Sequence, residues 1–499
     1  ALSSAASDVY KRQGFENYYM KDEELTAARD KYELTGYPYL NIGSEDFQTN
    51  SGKGSEYTSN SVFGRVIYSY ADRYLFQANI RHDGSSRFAK GYRWGTFPSF
   101  SAGWVMSEEK FMKSLNWDWL SFLKLRGSWG ILGNERIGDD YFPYIALMSF
   151  GNSLFYMADG SVVSDKTARP AILAVEDITW ETTTSTDFGL DANFFNNRLQ
   201  FHFDYYWKQT KDMLLKIEIP YFMGYNNPNT NAGKMSTHGY DIELAWNDRI
   251  GDLQYGVNVN FSDFLSKIDY MNDGEQISNG KIKRAGVLFN EYYGYVCDGI
   301  YQTQEEVNNS ARTSTTVTVG DLKYRDISGP DGVPDGIISP EYDRVPLGNS
   351  LPRFQYGGTF NASYKGIDFS IAFQGIGKQN SYLSTAMVQP LRDNYGSVPS
   401  IIEGKYWSPF NTAEENLSAR YPRLSNVSKS NNYATSSFWM FNGSYFRLKN
   451  LTLGYTLPET WTQKAGIDRV RFYISGSDLF CLSNFPDGWD PEMGASSYP

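Results

Sequence analysis

The chain alternates apolar and polar residues through many segments of similar length. In residues 74–81, Tyr74, Phe76 and Ile80 would lie on one face of a strand, and Gln77 and Asn79 on the other. The pattern recurs in five later segments: 123–129, 187–194, 201–208, 240–246 and 255–261. This period of two predicts β-strands that each have one apolar and one polar face. Each of these segments covers 7–8 residues, and we expect the full strands to be about 9–11 residues long, the length that a tilted strand needs to cross hydrocarbon.

The connections between these segments are of two kinds. Residues 70–73 and 195–198 form short turns, whereas the stretches 130–184, 265–353 and 375–443 are long and rich in Gly, Asn, Ser and Asp. Short turns at one end and long polar loops at the other are typical of transmembrane β-barrels. We therefore predict an all-β fold, an antiparallel up-and-down transmembrane β-barrel. Alternation alone would also fit a soluble β-sandwich, propeller or β-helix, in which the polar face is the outer one.

The membrane interpretation predicts which side chains face lipid. A charged side chain near the middle of a bilayer costs about 2–4 kcal/mol, whereas a hydrated lumen accepts it. The residues expected to face outward are Phe76, Ile80, Leu125, Phe203, Tyr205, Trp246, Val257 and Val259. Those expected to face the lumen are Gln77, Asn79, Arg126, Asp191, Asp204 and Asn258.

Composition supports a β-barrel over a helical membrane protein. Aromatic residues make up 16% of the 499 residues, yet the mean hydropathy is −0.49. No run approaches the ~18 apolar residues of a spanning helix. The net charge of −11 argues against nucleic acid as a partner. Three scattered histidines give no metal-ligand spacing, and nothing local pairs Cys297 with Cys481.

Several short strings carry a family resemblance. Residues 81–88 (RHDGSSRF) and 93–99 (RWGTFPS) come first, and the others follow in order at 125–130, 133–134, 179–181, 187–191, 210–214, 231–235 and 445–450. Together they resemble the SusC/RagA family of TonB-linked outer-membrane proteins of Bacteroidetes. The resemblance implies a barrel of roughly 22 strands with a plugged lumen.

The resemblance also sets expectations for domains and partners. Residues 14–499 would form an incomplete barrel, the later part of such a fold, with long extracellular loops but without the plug, the TonB-binding segment and the last strand. Residues 1–13 (ALSSAASDVYKRQ) do not continue the strand pattern, and we expect a non-native leader there. The family implies a multi-pass protein in outer-membrane lipid that pairs with a SusD-like surface lipoprotein and receives energy from TonB through a missing N-terminal segment.

The implied function is import of oligosaccharides or peptides, without bond chemistry, and we expect that this piece alone does not transport. The chain shows no nucleophile elbow, phosphate loop or zinc spacing, so we expect no enzyme. Two other interpretations remain open at this stage. One is a receptor for siderophores or cobalamin, and the other is a non-transporting adhesin that binds glycans at the surface.

A carboxylate-rich loop is the candidate metal site. Residues 326–343 (DISGPDGVPDGIISPEYD) place oxygen donors among glycines that permit tight turns: Asp326, Asp331, Asp335, Glu341 and Asp343. Such a donor set suits Ca²⁺, which takes 6–8 oxygen ligands. Pro330 or Val333 falls where an EF-hand would place a further ligand, so a solvated acidic turn is the alternative. We expect no required cofactor, with Ca²⁺ as the candidate ion.

Four aromatic residues in loop-like segments are candidate ligand contacts. Tyr92, Trp94, Trp407 and Trp439 could stack on the apolar faces of sugar rings. The competing interpretation is ordinary packing or the interfacial aromatic belt of a barrel.

Overall fold

A computed structural model describes residues 7–492 except 35, 38, 139, 273, 385–388, 392–397, 399 and 487. Within those residues, no helix is both long and apolar enough to cross a membrane. The chain divides into two compact units. One comprises Ala1–Trp104, Arg126–Asp187 and Lys208–Met235, and the other Val105–Leu125, Phe188–Trp207 and Ser236–Pro499.

The strands before residue 272 are mostly long, and their bounds are β1 (Ser7–Arg29), β2 (Gln48–Tyr70), β3 (Tyr74–Ser85), β4 (Trp94–Val105), β5 (Leu120–Asn134), β6 (Met148–Tyr156), β7 (Val162–Pro170), β8 (Glu181–Phe194), β9 (Leu199–Lys216), β10 (Asn229–Ile250) and β11 (Leu253–Met271). The later strands are β12 (Glu275–Ser278), β13 (Lys281–Arg284), β14 (Glu291–Tyr295), β15 (Cys297–Ile300), β16 (Leu322–Tyr324), β17 (Arg344–Asn349), β18 (Arg353–Tyr364), β19 (Ile367–Lys378), β20 (Asn380–Tyr382), β21 (Met440–Asn442), β22 (Tyr445–Thr456) and β23 (Arg471–Ser483).

All helices of the described chain are short. The α-helices are α1 (Lys110–Ser114), α2 (Gln304–Asn309), α3 (Ala413–Leu417), α4 (Lys429–Asn432) and α5 (Glu459–Thr462). Single 3₁₀ turns occupy Leu40–Ile42, Glu45–Phe47, Met106–Glu108, Tyr221–Met223, Ser400–Ile402, Ser437–Trp439 and Gln463–Ala465.

Thirteen strands form one antiparallel, up-and-down sheet in the order β1-β2-β3-β4-β5-β8-β9-β10-β11-β18-β19-β22-β23. The predicted fold class is therefore confirmed. Each of the six predicted segments lies inside one of these strands, and most of the strands run several residues beyond it. In the described part of the chain, β1 and β23 stand at the two ends of this order. Residues 7–13 belong to β1 and pair with β2, and the boundary predicted at residue 13 stays a prediction.

The short turns explain why neighbouring strands pair in one register. Ala71 and Asp72 have φ of 52° and 54°, the left-handed conformation of the turns that match strand twist. Tyr70 then pairs with Tyr74, and the register continues through Tyr68 with Phe76 to Arg65 with Asn79. Because side chains alternate along a strand, this register keeps the apolar residues of both strands on one face.

The two longest connections fold against each other. We call residues 274–352 and 400–444 the long-loop body. Gly294 lies so close to the Thr435 carbonyl that a Cβ would come within 2.1 Å of its oxygen, and Tyr295 N–H donates to that oxygen at 2.9 Å. Tyr295 packs with Leu322 and Tyr324 in a buried apolar cluster. This body therefore has an interior core of its own.

Candidate functional site

One face of the sheet carries polar side chains that hydrogen-bond to one another. Arg65 Nη2 donates to Gln77 Oε1 at 2.5 Å, and Asn258 Nδ2 donates to Glu243 Oε1 at 2.8 Å. Each pair joins neighbouring strands, so these side chains satisfy one another across the sheet. This is the arrangement expected of a hydrated interior.

Charged residues on the polar face of the sheet also form pairs. Asp191 lies 3.0 Å from His202 Nδ1 and 3.9 Å from Lys124 Nζ. Arg126 lies 4.0 Å from Asp187, the outer limit of an ion pair. These groups are half-buried, so the sheet carries its charges on the face where they have partners. Asn79 donates to Ser99 Oγ in the same way, and Asp204 is half-buried.

The opposite face exposes apolar side chains. Phe76 and Ile80 are 44% and 54% exposed, whereas the alternating Gln77 and Asn79 are less exposed. The other predicted outward residues are exposed or half-exposed: Leu125, Val259, Phe203, Tyr205, Trp246 and Val257. A water-soluble sandwich would cover this stripe and expose the polar one. The polarity of the sheet is therefore the one that lipid requires.

Two of the four candidate aromatic contacts are exposed. Trp94 stacks on His82 with ring centroids 4.8 Å apart, and it stays exposed. Its ring lies over Gly84, where a Cβ would come within 2.8 Å of ring atoms. Tyr92 is also exposed, and its carbonyl accepts a hydrogen bond from Thr179 Oγ1 at 3.2 Å. The RHDGSSRF string therefore supports an accessible ring, and ligand contact there stays a prediction.

The other two are buried, which corrects their expected exposure. Trp439 is 0% exposed and its Nε1 donates to the Asn432 carbonyl at 2.7 Å. Trp407 is also buried, lies against Gly320, and donates from Nε1 to Gln302 Oε1 at 3.2 Å. Both indole rings pack in the interior of the long-loop body. Connections of this length need large buried apolar side chains of their own to stay folded. A role in ligand binding is untested for both residues.

The carboxylate-rich loop uses its acidic side chains to hold its own backbone. Asp343 is fully buried and accepts from the N–H groups of Ile327 at 2.8 Å and Ser339 at 2.7 Å. Asp326 accepts from Gly336 N–H at 2.7 Å. Asp335 accepts from Ile337 N–H at 2.9 Å, and Asp331 is exposed. Across the described ranges, no three His, Cys, Asp or Glu side chains form a metal-binding group. Calcium binding by this loop stays a prediction.

A buried polar cluster in the long-loop body was missed by sequence reasoning. Asp321 is fully buried and accepts from Arg423 Nε at 2.7 Å, Ser428 Oγ at 2.8 Å and Asn432 Nδ2 at 3.0 Å. Leu322 N–H donates to the Asn432 side chain at 2.9 Å. About a hundred residues separate Asp321 from its partners in the sequence, so no local sequence pattern predicts these contacts. The cluster joins the two halves of the body.

The YFRLKN string at 445–450 also has a structural role. Arg447 contacts Asp490 at 2.5 Å and Glu492 at 3.1 Å, and Lys449 lies 3.3 Å from Glu492. These ion pairs hold the segment that follows β23 against β22. The resemblance in this string therefore reflects packing of the chain and not a reacting group.

Neither cysteine forms a disulfide, and Cys297 is held in a buried environment. Both Cys297 and Cys481 are free thiols. Burial raises the pKa of the Cys297 thiol to about 11, so the reactive thiolate is scarce at neutral pH.

Several known proteins are similar to this chain in sequence. The family model described as "TonB dependent receptor-like, beta-barrel" matches residues 7–475. TonB-dependent receptor P3 of Formosa agariphila is 32% identical over 452 residues, which are 87% of this chain and 42% of that protein. TonB-dependent receptor SusC of Bacteroides thetaiotaomicron is 31% identical over 457 residues, 88% of this chain and 42% of that protein. The chain thus spans less than half the length of these relatives.

Solved structures agree on the fold. The RagAB peptide transporter superposes with a TM-score of 0.79 at 22% identity, covering 98% of this chain and 51% of that one. The RagAB importer in its closed-closed state gives 0.78 at 21% identity, covering 99% and 52%. At this identity the likeness concerns the fold alone.

Proposed function

The chain belongs to the TonB-dependent receptor-like β-barrel family, whose model covers residues 7–475, and from this premise we propose that the intact protein imports large nutrients across the outer membrane. The resemblance to SusC/RagA proteins is confirmed by the match to SusC and by the RagAB fold. The outer membrane is accordingly the location of the protein. The proposed cargo is an oligosaccharide or a peptide, and the proposed energy source is TonB.

The observation that carries this proposal is the reversed polarity of the sheet. The apolar stripe through Phe76 and Ile80 is exposed, while Gln77, Asn258 and Asp191 have polar or charged partners on the other face. A hydrated passage inside a lipid-exposed sheet suits translocation of polar solutes. The barrel would bind and conduct its cargo without breaking bonds in it.

A SusD-like lipoprotein is the proposed partner at the long-loop end. The support is the match to SusC, together with long connections that fold into a body with a buried core. A siderophore or cobalamin receptor and a glycan-binding adhesin are the competing functions, and each predicts a different result in the test below.

The test is uptake by cells of the native host in which the gene for the intact protein is deleted, compared with the same cells carrying a restored copy. Labelled oligosaccharides and labelled peptides are supplied separately, and internalised label is measured with and without TonB and with and without the proposed SusD-like lipoprotein. We expect one of the two cargo classes to be internalised only when all three proteins are present. Surface binding that persists without TonB, with no uptake of either class, would indicate an adhesin. Uptake of ferric siderophore or cobalamin alone would indicate the other receptor class.

A further inference from the structure

A cavity lies where the long-loop body meets the adjoining ends of β11, β18 and β19. Its volume is about 360 Å³, within the size range of small-molecule sites. Much of its wall is apolar, and the side chains there are Phe264, Leu265, Leu288, Leu347 and Leu351. Such a wall favours a ligand that carries an apolar part of its own, because binding removes apolar surface from water.

Hydrogen bonds and close packing fix the polar part of the wall. Asn349 Nδ2 donates to the Phe289 carbonyl at 2.8 Å, and Asn349 Oδ1 accepts from Leu351 N–H at 2.7 Å. Gly348 has a φ of 123°, and a Cβ there would come within 2.5 Å of the Asn380 side-chain oxygen. Asn349, Gly348 and Asn380 all line the cavity. A wall held in this way is preorganised, which lowers the entropic cost of binding.

One of the two cations in the wall is already neutralised. Arg353 donates from Nε and Nη2 to the two carboxylate oxygens of Asp263 at 2.5 and 2.6 Å. Asp263 is only 5% exposed, and it also accepts from Phe354 N–H at 3.2 Å. A bidentate pair of this kind is a strong contact. Arg353 therefore supports the wall and leaves no net charge for a ligand.

The other two charged side chains of the wall have opposite signs. Lys378 lies directly opposite Arg353 in the β18–β19 register and is exposed. Glu291 is half-buried, and its Oε2 accepts from Leu288 N–H at 3.2 Å. Across the described ranges, neither Lys378 nor Glu291 forms an ion pair. The cavity thus offers one ammonium group and one carboxylate group to a ligand that carries both charges.

We propose that this cavity binds a dipeptide with apolar side chains, whose carboxylate pairs with Lys378 and whose ammonium group pairs with Glu291. The apolar side chains of the ligand would lie against the leucines. A fatty acid would leave Glu291 without a counter-charge, and a neutral sugar would place hydroxyl groups against the apolar wall. The site is separate from the hydrated face of the sheet, and the proposal does not depend on what the intact protein transports.

Titration calorimetry of the intact protein with leucyl-leucine tests the proposal. We expect saturable binding that Lys378→Gln and Glu291→Gln each weaken several-fold. A glutamine at 291 can still accept the Leu288 N–H, so that variant removes the charge and keeps the local hydrogen bond. The control is Lys365→Gln, which removes an exposed cation that lies 3.7 Å from Asp252 in another part of the chain. This control should retain full affinity.

Blocking the ends of the peptide assigns each contact separately. N-acetyl-leucyl-leucine lacks the ammonium group, so we expect weaker binding that Lys378→Gln reduces further and Glu291→Gln leaves unchanged. Leucyl-leucinamide lacks the carboxylate, so the two variants should exchange their effects. If a variant fails to fold, the loss of affinity on blocking either end still tests the two contacts in the unchanged protein.

Three results would overturn the proposal. One is the absence of saturable binding, and another is binding that both charge variants retain, which would place the peptide elsewhere. The third is tighter binding of laurate than of leucyl-leucine, with a loss in Lys378→Gln alone, which would assign the cavity to an anionic amphiphile. Calorimetry does not require transport, so a failed uptake assay leaves these results unchanged.

Discussion

The sheet and the long-loop body differ in which side chains they expose to their surroundings and which they bury. In the sheet, apolar side chains such as Phe76 and Ile80 are exposed, and the polar side chains bond across the other face. In the long-loop body, the apolar residues Leu322 and Trp439 are buried, as in a water-soluble domain. One region is built for lipid outside and water inside, and the other for water outside and a dry interior.

The difference teaches what polar groups do in each setting. Asn258 and Glu243 bond to each other on a partly accessible face, so water can replace either partner at small cost. Asp321 has no access to water, and its partners Arg423, Ser428 and Asn432 must all be present to compensate its charge. Polar pairs are therefore replaceable in the sheet and essential in the long-loop body.

The largest effect is expected from Asp321→Ala. Removing one partner of a buried ion pair leaves Arg423 uncompensated and costs about 3–5 kcal/mol. We expect hydrogen exchange in residues 274–352 and 400–444 of the intact protein to speed up greatly, while amides of β18 and β19 keep their protection. Mass spectrometry of the exchanged protein measures both regions at once.

The control is an exposed ion pair in the same body. Arg325 and Asp298 contact at 2.6 Å, with side chains 60% and 31% exposed. Asp298→Ala should cost much less stability, because water screens and replaces an exposed ion pair. Equal losses in the two variants, or equal loss of protection in β18, would contradict the separation of the two regions.

The next effect comes from adjacent residues on the two faces of β11. Val259→Arg places a charge on the lipid-facing stripe and should cost about 2–4 kcal/mol, whereas Asn258→Arg stays on the polar face beside Glu243. We expect the first variant to reduce the fraction of intact protein that shows heat-modifiable gel migration, and the second to leave it unchanged. Equal behaviour of the two variants would argue that this part of β11 lies outside the hydrocarbon.

Sequence predicted the sheet well, because its rule is local. Apolar and polar side chains must alternate along a strand that faces lipid on one side. The sequence therefore predicts the faces of Phe76, Gln77 and Ile80 without information on the neighbouring strands. The long-loop body follows no such rule, because its structure depends on contacts between distant residues, such as Asp321 with Asn432. The same limitation explains why Trp439 and Trp407 resembled exposed ligand contacts when each in fact fills an interior site.

A pH effect is expected in the long-loop body. Burial raises the pKa of Cys297 to about 11, against 9.0 for an exposed thiol. The folded body therefore favours the protonated thiol, and the stabilisation is complete below pH 9 and is lost as the pH rises through 11. Two pKa units correspond to about 2–3 kcal/mol. We expect exchange in this body to accelerate over that interval beyond its intrinsic pH dependence. Cys297→Ser should reduce the excess without removing it, because burial also raises the pKa of Tyr295 and Tyr301 in the same body.

Calcium should have the smallest effect on the comparison, because Asp326, Asp335 and Asp343 of the 326–343 loop already accept backbone N–H groups. Asp326 and Asp335 each accept a backbone N–H, at 2.7 and 2.9 Å, and binding of the predicted ion must rearrange these contacts. An ion held under this constraint should bind with a dissociation constant of about 10⁻⁴–10⁻³ M, as in extracellular calcium modules. At a calcium concentration equal to that constant, binding stabilises the loop by only about 0.4 kcal/mol.

Calorimetry of the intact protein should thus show weak calcium uptake that Asp335→Asn removes and Asp298→Asn retains. Uptake tighter than about 10⁻⁶ M would show that the ion finds a preformed site. No uptake, or equal uptake in both variants, would show that the loop is an acidic turn held by its own backbone.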